Sequence, residues 1–253
     1  MKVSIITVSY NSGKTITDAI KSVLQQTYPN IEYIIVDGKS NDHTLSIIEK
    51  MQPLFKGRLH YIAEPDYGIY DAMNKGVRMA TGDIIGILNS DDFFTSNDII
   101  EKIVNNFTED IDAIYGDIHF VKPNQLNKCV RYYSGRIFKP SMVRFGILPP
   151  HPSLYVKKEV LDKYGDYETK YKISADFELI ARLCFKYKIR TRYLHLDMVT
   201  MRIGGASTNS WQSRKLGLKE DIIALRQLGI PHLSAQLWLK FPIKLLSSWI
   251  IRN

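Results

Sequence analysis

An α/β fold with a mostly parallel central sheet, covered by helices on both faces, is what the sequence predicts. Two observations predict it. Short runs rich in β-branched residues alternate with segments of helical periodicity over the first hundred residues, with brief links between them. Acidic residues then recur where those runs end: Asp37 after the second, Glu64 and Asp66 after the third, Asp91 and Asp92 after the fourth. Ligands of parallel sheets bind beyond the carboxyl ends of the strands, so these acids are expected to line one crevice.

The elements follow in order. "VSIITVSY" reads as the first strand, and "SGKTITDAIKSVLQQTY" as a helix with Ile16, Ala19, Ile20, Val23 and Leu24 on one face and Pro29 as its stop. "IEYIIVDG" is the second strand and "SNDHTLSIIEKM" the next helix. "LHYIAEPD" is the third strand, followed by a helix in "GIYDAMNKGVRMATG" that buries Ile69, Ala72, Met73, Gly76 and Val77 and closes at Gly82. "DIIGILNSDD" is the fourth strand and "SNDIIEKIVNNF" the helix after it. Beyond Asp112 the pattern loosens. "IDAIYGDIHFV" is a strand, "KPNQLNKC" a turn, and the basic, aromatic stretch from Arg131 to Val156 irregular. "KKEVLDKYG" and "SADFELIARLCFKYK" are helices, and "IRTRYLHLDMVTMRIGG" returns to strand.

The 253 residues suffice for one large domain with an extension, and 45% hydrophobic with 24% charged residues is ordinary for a globular chain. Two cysteines, Cys129 and Cys184, without CxxC spacing argue against a zinc site or a disulfide framework and fit a reducing cytosol. "MKVSIITVSYN" reads as a strand rather than a signal peptide, and no apolar run reaches the roughly 20 residues that span a bilayer. A net charge of +8 points to an anionic partner. No nucleic-acid motif accompanies it, which leaves phosphorylated substrates or an anionic membrane surface.

GxGxxG, GxxxxGK[ST] and GxSxG are all absent, which disfavours a dinucleotide fold, a P-loop and a nucleophile elbow. The histidines lack metal-ligand spacing; His151, in "PPHPS", is the one in a suggestive loop, with either a hydrogen-bonding or a binding role. What remains is carboxylate chemistry. The "NSDD" turn sets two like charges side by side, which suits either a polar turn and helix start or a hard divalent cation completed by substrate phosphates.

The motifs "SIITVSYN", "IEYIIVDGKSNDHT", "EPDYGIYDAMNKG", "GDIIGILNSDD" and "ISADFEL" together resemble, in order and spacing, the family-two glycosyltransferases, among them bacterial enzymes of colanic-acid, exopolysaccharide and O-antigen assembly. The resemblance covers residues 1–210 and implies a GT-A fold that moves a sugar, with inversion, from a nucleotide diphosphate sugar to an acceptor hydroxyl, with Mg²⁺ or Mn²⁺ as cofactor. It implies a uridine diphosphate donor and an acceptor that is a saccharide or a lipid-linked saccharide. Position by position, Thr7, Tyr10, Asp37, Gly38, Asp66, Asp71, Lys75, Ser90, Asp91 and Arg202 match its nucleotide-sugar site. Asp91 and Asp92 match its metal site, although Asn89 stands where many members carry the first acid. Asp176 matches the base that takes the acceptor proton; from the residues alone it reads more readily as a helix N-cap. His151 falls in the expected acceptor region. A sugar nucleotidyltransferase fits less well, because "TVSYNSGKT" lacks a Gly-rich loop, and an inactive scaffold of the same fold is opposed by Asp176.

The expected division is a transferase domain over 1–210, with a nucleotide-sugar half (1–110) and an acceptor half (111–210), then a basic amphipathic tail over 211–253. In "LSAQLWLKFPIKLLSSWIIRN", Gln236, Lys240, Lys244 and Ser248 form a polar stripe opposite Trp238, Phe241, Leu245 and Trp249. That pattern suits either a helix packed on the domain or one lying on an anionic membrane. The expected location is the cytoplasm, at the inner face of the membrane.

Overall fold

A computed structural model describes residues 1–204 and 211–239. Four strands, β1 (Val3–Ser9), β2 (Ile31–Asp37), β3 (Leu59–Ala63) and β4 (Ile84–Ile87), pair in parallel in the order β3-β2-β1-β4. Their links carry α1 (Ile16–Leu24), α2 (Thr44–Met51) and α3 (Ile69–Met79). These are right-sized crossovers for parallel pairing, and their alternation is what the apolar periodicity predicts.

The second half extends the same sheet with mixed directions. After β5 (Phe93–Phe94) and α4 (Ile99–Val104) come β6 (Ala113–Lys122) and β7 (Gln125–Tyr133). Next follow β8 (Tyr155–Lys157), α5 (Lys158–Tyr164), α6 (Ala175–Ile180) with a π-helical turn Ala181–Lys186, β9 (Thr191–Arg202) and α7 (Trp211–Gln227). β8 runs antiparallel to β4 and β6, β9 runs parallel to β6, and β5 and β7 pair antiparallel with β9 and β6.

β7 corrects the sequence reading, which placed a turn over "KPNQLNKC". Only Pro123 and Asn124 separate β6 from β7. Most of β7 is exposed, so it carries no apolar alternation to announce it; backbone pairing with β6 makes it a strand. The short strand β8 lies in the stretch expected to be irregular, and the long helix expected over "SADFELIARLCFKYK" changes to π geometry after Ile180.

Alternation along the inner strands splits the core in two. Ile6, Val8, Ile34 and Val36 face α3, α5, α6 and α7, while Val3, Ile5, Tyr33 and Ile35 face α1, α2 and α4. Helices therefore cover both faces. Leu218, Ala224 and Leu225 of α7 belong to the first of these cores, so this part of the expected tail is packed on the domain. The amphipathic stripe expected over 233–253 lies for the most part outside the described residues. Among the described residues no helix is long and apolar enough to cross a membrane.

A buried carboxylate closes the edge away from the crevice. Glu32 accepts from Lys2 Nζ (2.7 Å), Ser4 Oγ (2.6 Å), Thr81 N (2.8 Å) and Thr81 Oγ1 (2.7 Å). Burial alone would push its pKa up, but these donors override it and hold the group at about 2. Its contribution to stability is thus present above the ordinary carboxylate pKa and disappears as pH falls towards 2. Glu32→Gln should cost about 1–2 kcal/mol at pH 7, a loss that shrinks between about pH 4.5 and 2. Urea denaturation across that range measures it.

Candidate active site

The carboxyl ends of β1 and β4, the loops after β2 and β3, the start of α6 and the end of β9 enclose a cavity of about 1140 Å³. Of the residues expected at the site, Tyr10, Asp66, Ser90, Asp91, His151, Asp176 and Arg202 line it. The structure therefore brings together residues from positions 10 to 202 in one place.

Six expected residues do not line the cavity; five of them have a structural occupation instead, and the sixth is Gly38. Thr7 is fully buried, donating to Leu88 O (2.6 Å) and accepting from Tyr33 OH (3.0 Å). Asp37 is also fully buried; Ser9 Oγ, Ser40 N and Ser40 Oγ donate to it at 2.7, 2.6 and 2.8 Å, which fixes the turn after β2. Asp71 accepts from Tyr67 N at 3.1 Å near the start of α3. Lys75 reaches back to Pro65 O (2.7 Å) and Glu64 (2.9 Å), bracing the loop that carries Asp66 rather than facing the cavity. Asp92 is fully buried behind the turn, where Asn89 Nδ2 donates to it at 3.2 Å.

Gly38 acts through what it omits. A Cβ there would stand 2.6 Å from Asp66 Oδ2 and 3.2 Å from the Tyr10 ring. The missing side chain makes room for the Asp66 carboxylate beside Tyr10, and Asp66 is held in turn by Gly68 N (2.9 Å).

The "NSDD" segment is a tight turn, closed by Asp92 N donating to Asn89 O at 3.0 Å. Ser12 Oγ and Ser90 Oγ lie 2.8 Å apart and tie it to the loop after β1. Asp91 lines the cavity. Burial raises its pKa, against the opposing pull of Arg202, and burial together with Asp91 raises that of Asp92 well above the usual range. Arg202 donates to Asp91 O and to Asp18, with its guanidinium 5.1 Å from the Phe93 ring. Two oxygens of the turn, Asn89 Oδ1 and Asp92 Oδ1, are buried without a hydrogen-bond partner. A desolvated carboxylate beside an orphaned amide oxygen is an oxygen-rich, electron-rich spot, which fits a hard divalent cation. Among the described residues no group of three or more His, Cys, Asp or Glu could hold a metal, so a cation here needs further oxygens from its substrate.

Across the cavity lining, Asp176 sits in the first turn of α6, whose N-cap is Ser174. It is therefore inside the helix and not its cap. Tyr70 OH lies 3.1 Å from Asp176 Oδ1 and 2.6 Å from Ile173 O. Tyr70 stacks on Tyr167, rings 5.7 Å apart, and Tyr167 OH lies 2.7 Å from His151 Nε2. Burial lowers the pKa of His151 and keeps its ring neutral near pH 7. Asn74 fixes Tyr167 by bonds to both its N and O (2.9 and 2.7 Å).

The sequence reading missed Tyr70, Tyr167 and Arg131. Tyr70 was detectable: it shares a helical face with Met73 and Val77, next to Asp71 in a motif already singled out. Arg131, 3.9 Å over the Phe120 ring, lies on β7, the strand without a pattern. Tyr167 carried no signal at all.

A half-parallel α/β sheet with carboxylates at the strand ends is the GT-A fold, shared with S. aureus TarS 1-349 in complex with UDP (TM-score 0.69, 18% identity). The chain belongs to glycosyl transferase family 2, whose sequence pattern matches residues 4–148, and it is a glycosyltransferase. A PGL/p-HBAD biosynthesis glycosyltransferase of Mycobacterium bovis is 26% identical over 236 residues, covering 88% of this chain and 90% of its own. An uncharacterized glycosyltransferase of Nostoc is 29% identical over 220 residues, 83% of this chain and 67% of its own. The fold is shared with S. aureus TarS 1-349 in complex with UDP-GlcNAc (TM-score 0.71, 17% identity, 94% of this chain and 69% of that one). It is also shared with the mannosyltransferase PcManGT from Pyrobaculum calidifontis in complex with GDP-Man and Mn²⁺ (TM-score 0.68, 19% identity, 98% and 73%). The chain spans 39% of another, longer TarS structure.

Proposed function

We propose that the protein transfers a sugar, with inversion, from a nucleotide diphosphate sugar to an acceptor hydroxyl. The observation that carries this reading is that Asp91 and Asp176 open into one cavity, large enough for both substrates. Tyr10 and Asp66 flank the nucleotide end. Asp91, with Asn89, would hold Mg²⁺ or Mn²⁺, which when bound neutralises the charge that builds on the departing diphosphate. Arg202 adds fixed positive charge at the same end.

Asp176 takes the proton of the acceptor hydroxyl as its oxygen bonds to the anomeric carbon; the bond from that carbon to the diphosphate breaks, and the nucleoside diphosphate leaves. Tyr70 holds Asp176 in place, and His151, neutral and tied to Tyr167, offers the acceptor a hydrogen-bonding group. A saccharide, lipid-linked and destined for the cell surface, is the acceptor this reading favours; a peripheral contact of the C-terminal residues with an anionic membrane on the cytoplasmic side goes with it. The donor is a uridine or guanosine diphosphate sugar, the two kinds bound in the complexes of the structural neighbours.

The test is a panel of nucleotide sugars, headed by UDP-GlcNAc and GDP-mannose, incubated with Mn²⁺ while release of UDP or GDP is measured. Release that depends on the cation from one donor class is expected. Equal release with excess chelator sinks the metal assignment, and none from any donor sinks the reading.

A further inference from the structure

We infer that Glu220, on α7 and outside the cavity, is a positioning residue for Asp176. This rests on the reading of Asp176 as the acceptor base. Glu220 is 7% exposed, and its carboxylate collects three successive backbone N–H groups: Lys172 N on Oε1 at 3.0 Å, and Ile173 N and Ser174 N on Oε2 at 2.9 and 3.0 Å. Ser174 Oγ adds a bond to Gly217 O at 3.1 Å. Residues 172–174 are the approach to α6, two residues before Asp176.

The same short segment faces the cavity on its other side. Lys172, Ile173 and Asp176 line it, and Tyr70 OH bonds both Ile173 O and Asp176. Asp176 is thus held between two anchors, Tyr70 from the front and Glu220 from behind. Three consecutive N–H groups pointing the same way form a partial positive charge that only an anion satisfies fully. Gln offers one acceptor oxygen in place of two and no charge. Glu220 makes no contact with the cavity, so its effect on the reaction passes through this segment.

The test compares Glu220→Gln, Asp176→Asn, the double variant and Leu225→Ala in the full chain. Leu225 is a fully buried residue of the same helix and controls for lost stability. The assay is cleavage of the nucleotide sugar that the panel identifies. Glu220→Gln should lower kcat about tenfold or more while binding of UDP or GDP, by calorimetry, changes less than twofold. The double variant should be no slower than Asp176→Asn alone, because both losses run through one group. Leu225→Ala should lower Tm at least as far and keep kcat.

Hydrogen exchange, which needs no substrate, should show faster exchange at 172–177 in Glu220→Gln than in wild type. Unchanged exchange, unchanged kcat, additive losses in the double variant, or a matching kcat loss in Leu225→Ala each overturn the inference. If Asp176→Asn is as active as wild type, the base reading itself fails and takes this one with it. A dead Asp176→Asn beside a fully active Glu220→Gln removes this one alone.

Discussion

Asp176→Asn should lower kcat about a thousandfold and leave the affinity for UDP or GDP unchanged. Asn is nearly isosteric and keeps an oxygen for the Tyr70 hydroxyl, so the turn around it stays formed. What it cannot do is accept a proton. The acceptor oxygen must then attack still protonated, which removes general-base assistance and nothing from donor binding. Stopped assays of nucleotide release with saturating donor measure kcat, and calorimetry measures the binding. A loss confined to donor affinity would move Asp176 to the donor site and refute its role as base.

Asp91→Asn is the second large effect, and it has opposite signs in activity and stability. Without this carboxylate the turn loses the one acid it presents to the cavity, so kcat/KM should fall by about 10²–10³ and Mn²⁺ should cease to strengthen UDP or GDP binding. In the absence of metal, however, Asp91 is a desolvated acid with a raised pKa beside a second buried acid. Removing it relieves that repulsion, so the metal-free variant should melt no lower than wild type, with a margin that grows as pH rises above the ordinary carboxylate range. Scanning calorimetry with and without Mn²⁺ separates the two. A variant that loses stability without metal and keeps its Mn²⁺ response would show that Asp91 is structural.

Both variants alter positions picked out from the sequence, and the contrast with other such positions is instructive. Asp37, Asp71, Lys75, Asp91, Asp92 and Asp176 all belong to the same motifs. Three of them fix turns or loops: Asp37 gathers Ser9 and Ser40, Asp71 takes Tyr67 N, and Lys75 braces Glu64 and Pro65. Asx-type turns and ligand sites ask for the same acids at strand ends, so a motif cannot separate them. Adjacent acids diverge for a simpler reason. Asp91 and Asp92 are neighbours in a turn, and successive side chains point different ways: one reaches the cavity and the other is sealed behind it.

The sequence by itself determined the first four strands, the helices between them and the edge of the sheet where its acids gather. These follow from apolar periodicity and turn chemistry, which act over a few residues. Tertiary structure alone decided the rest. β7 is a strand because β6 offers it a backbone ladder, not because of its own pattern. Asp66 occupies space that Gly38 leaves 28 positions earlier. Tyr167 and His151 meet through one hydrogen bond, and Glu220 collects three N–H groups that stand 46 to 48 residues before it. Such contacts depend on where distant segments are brought together by burial of the two cores, and no local pattern records that meeting.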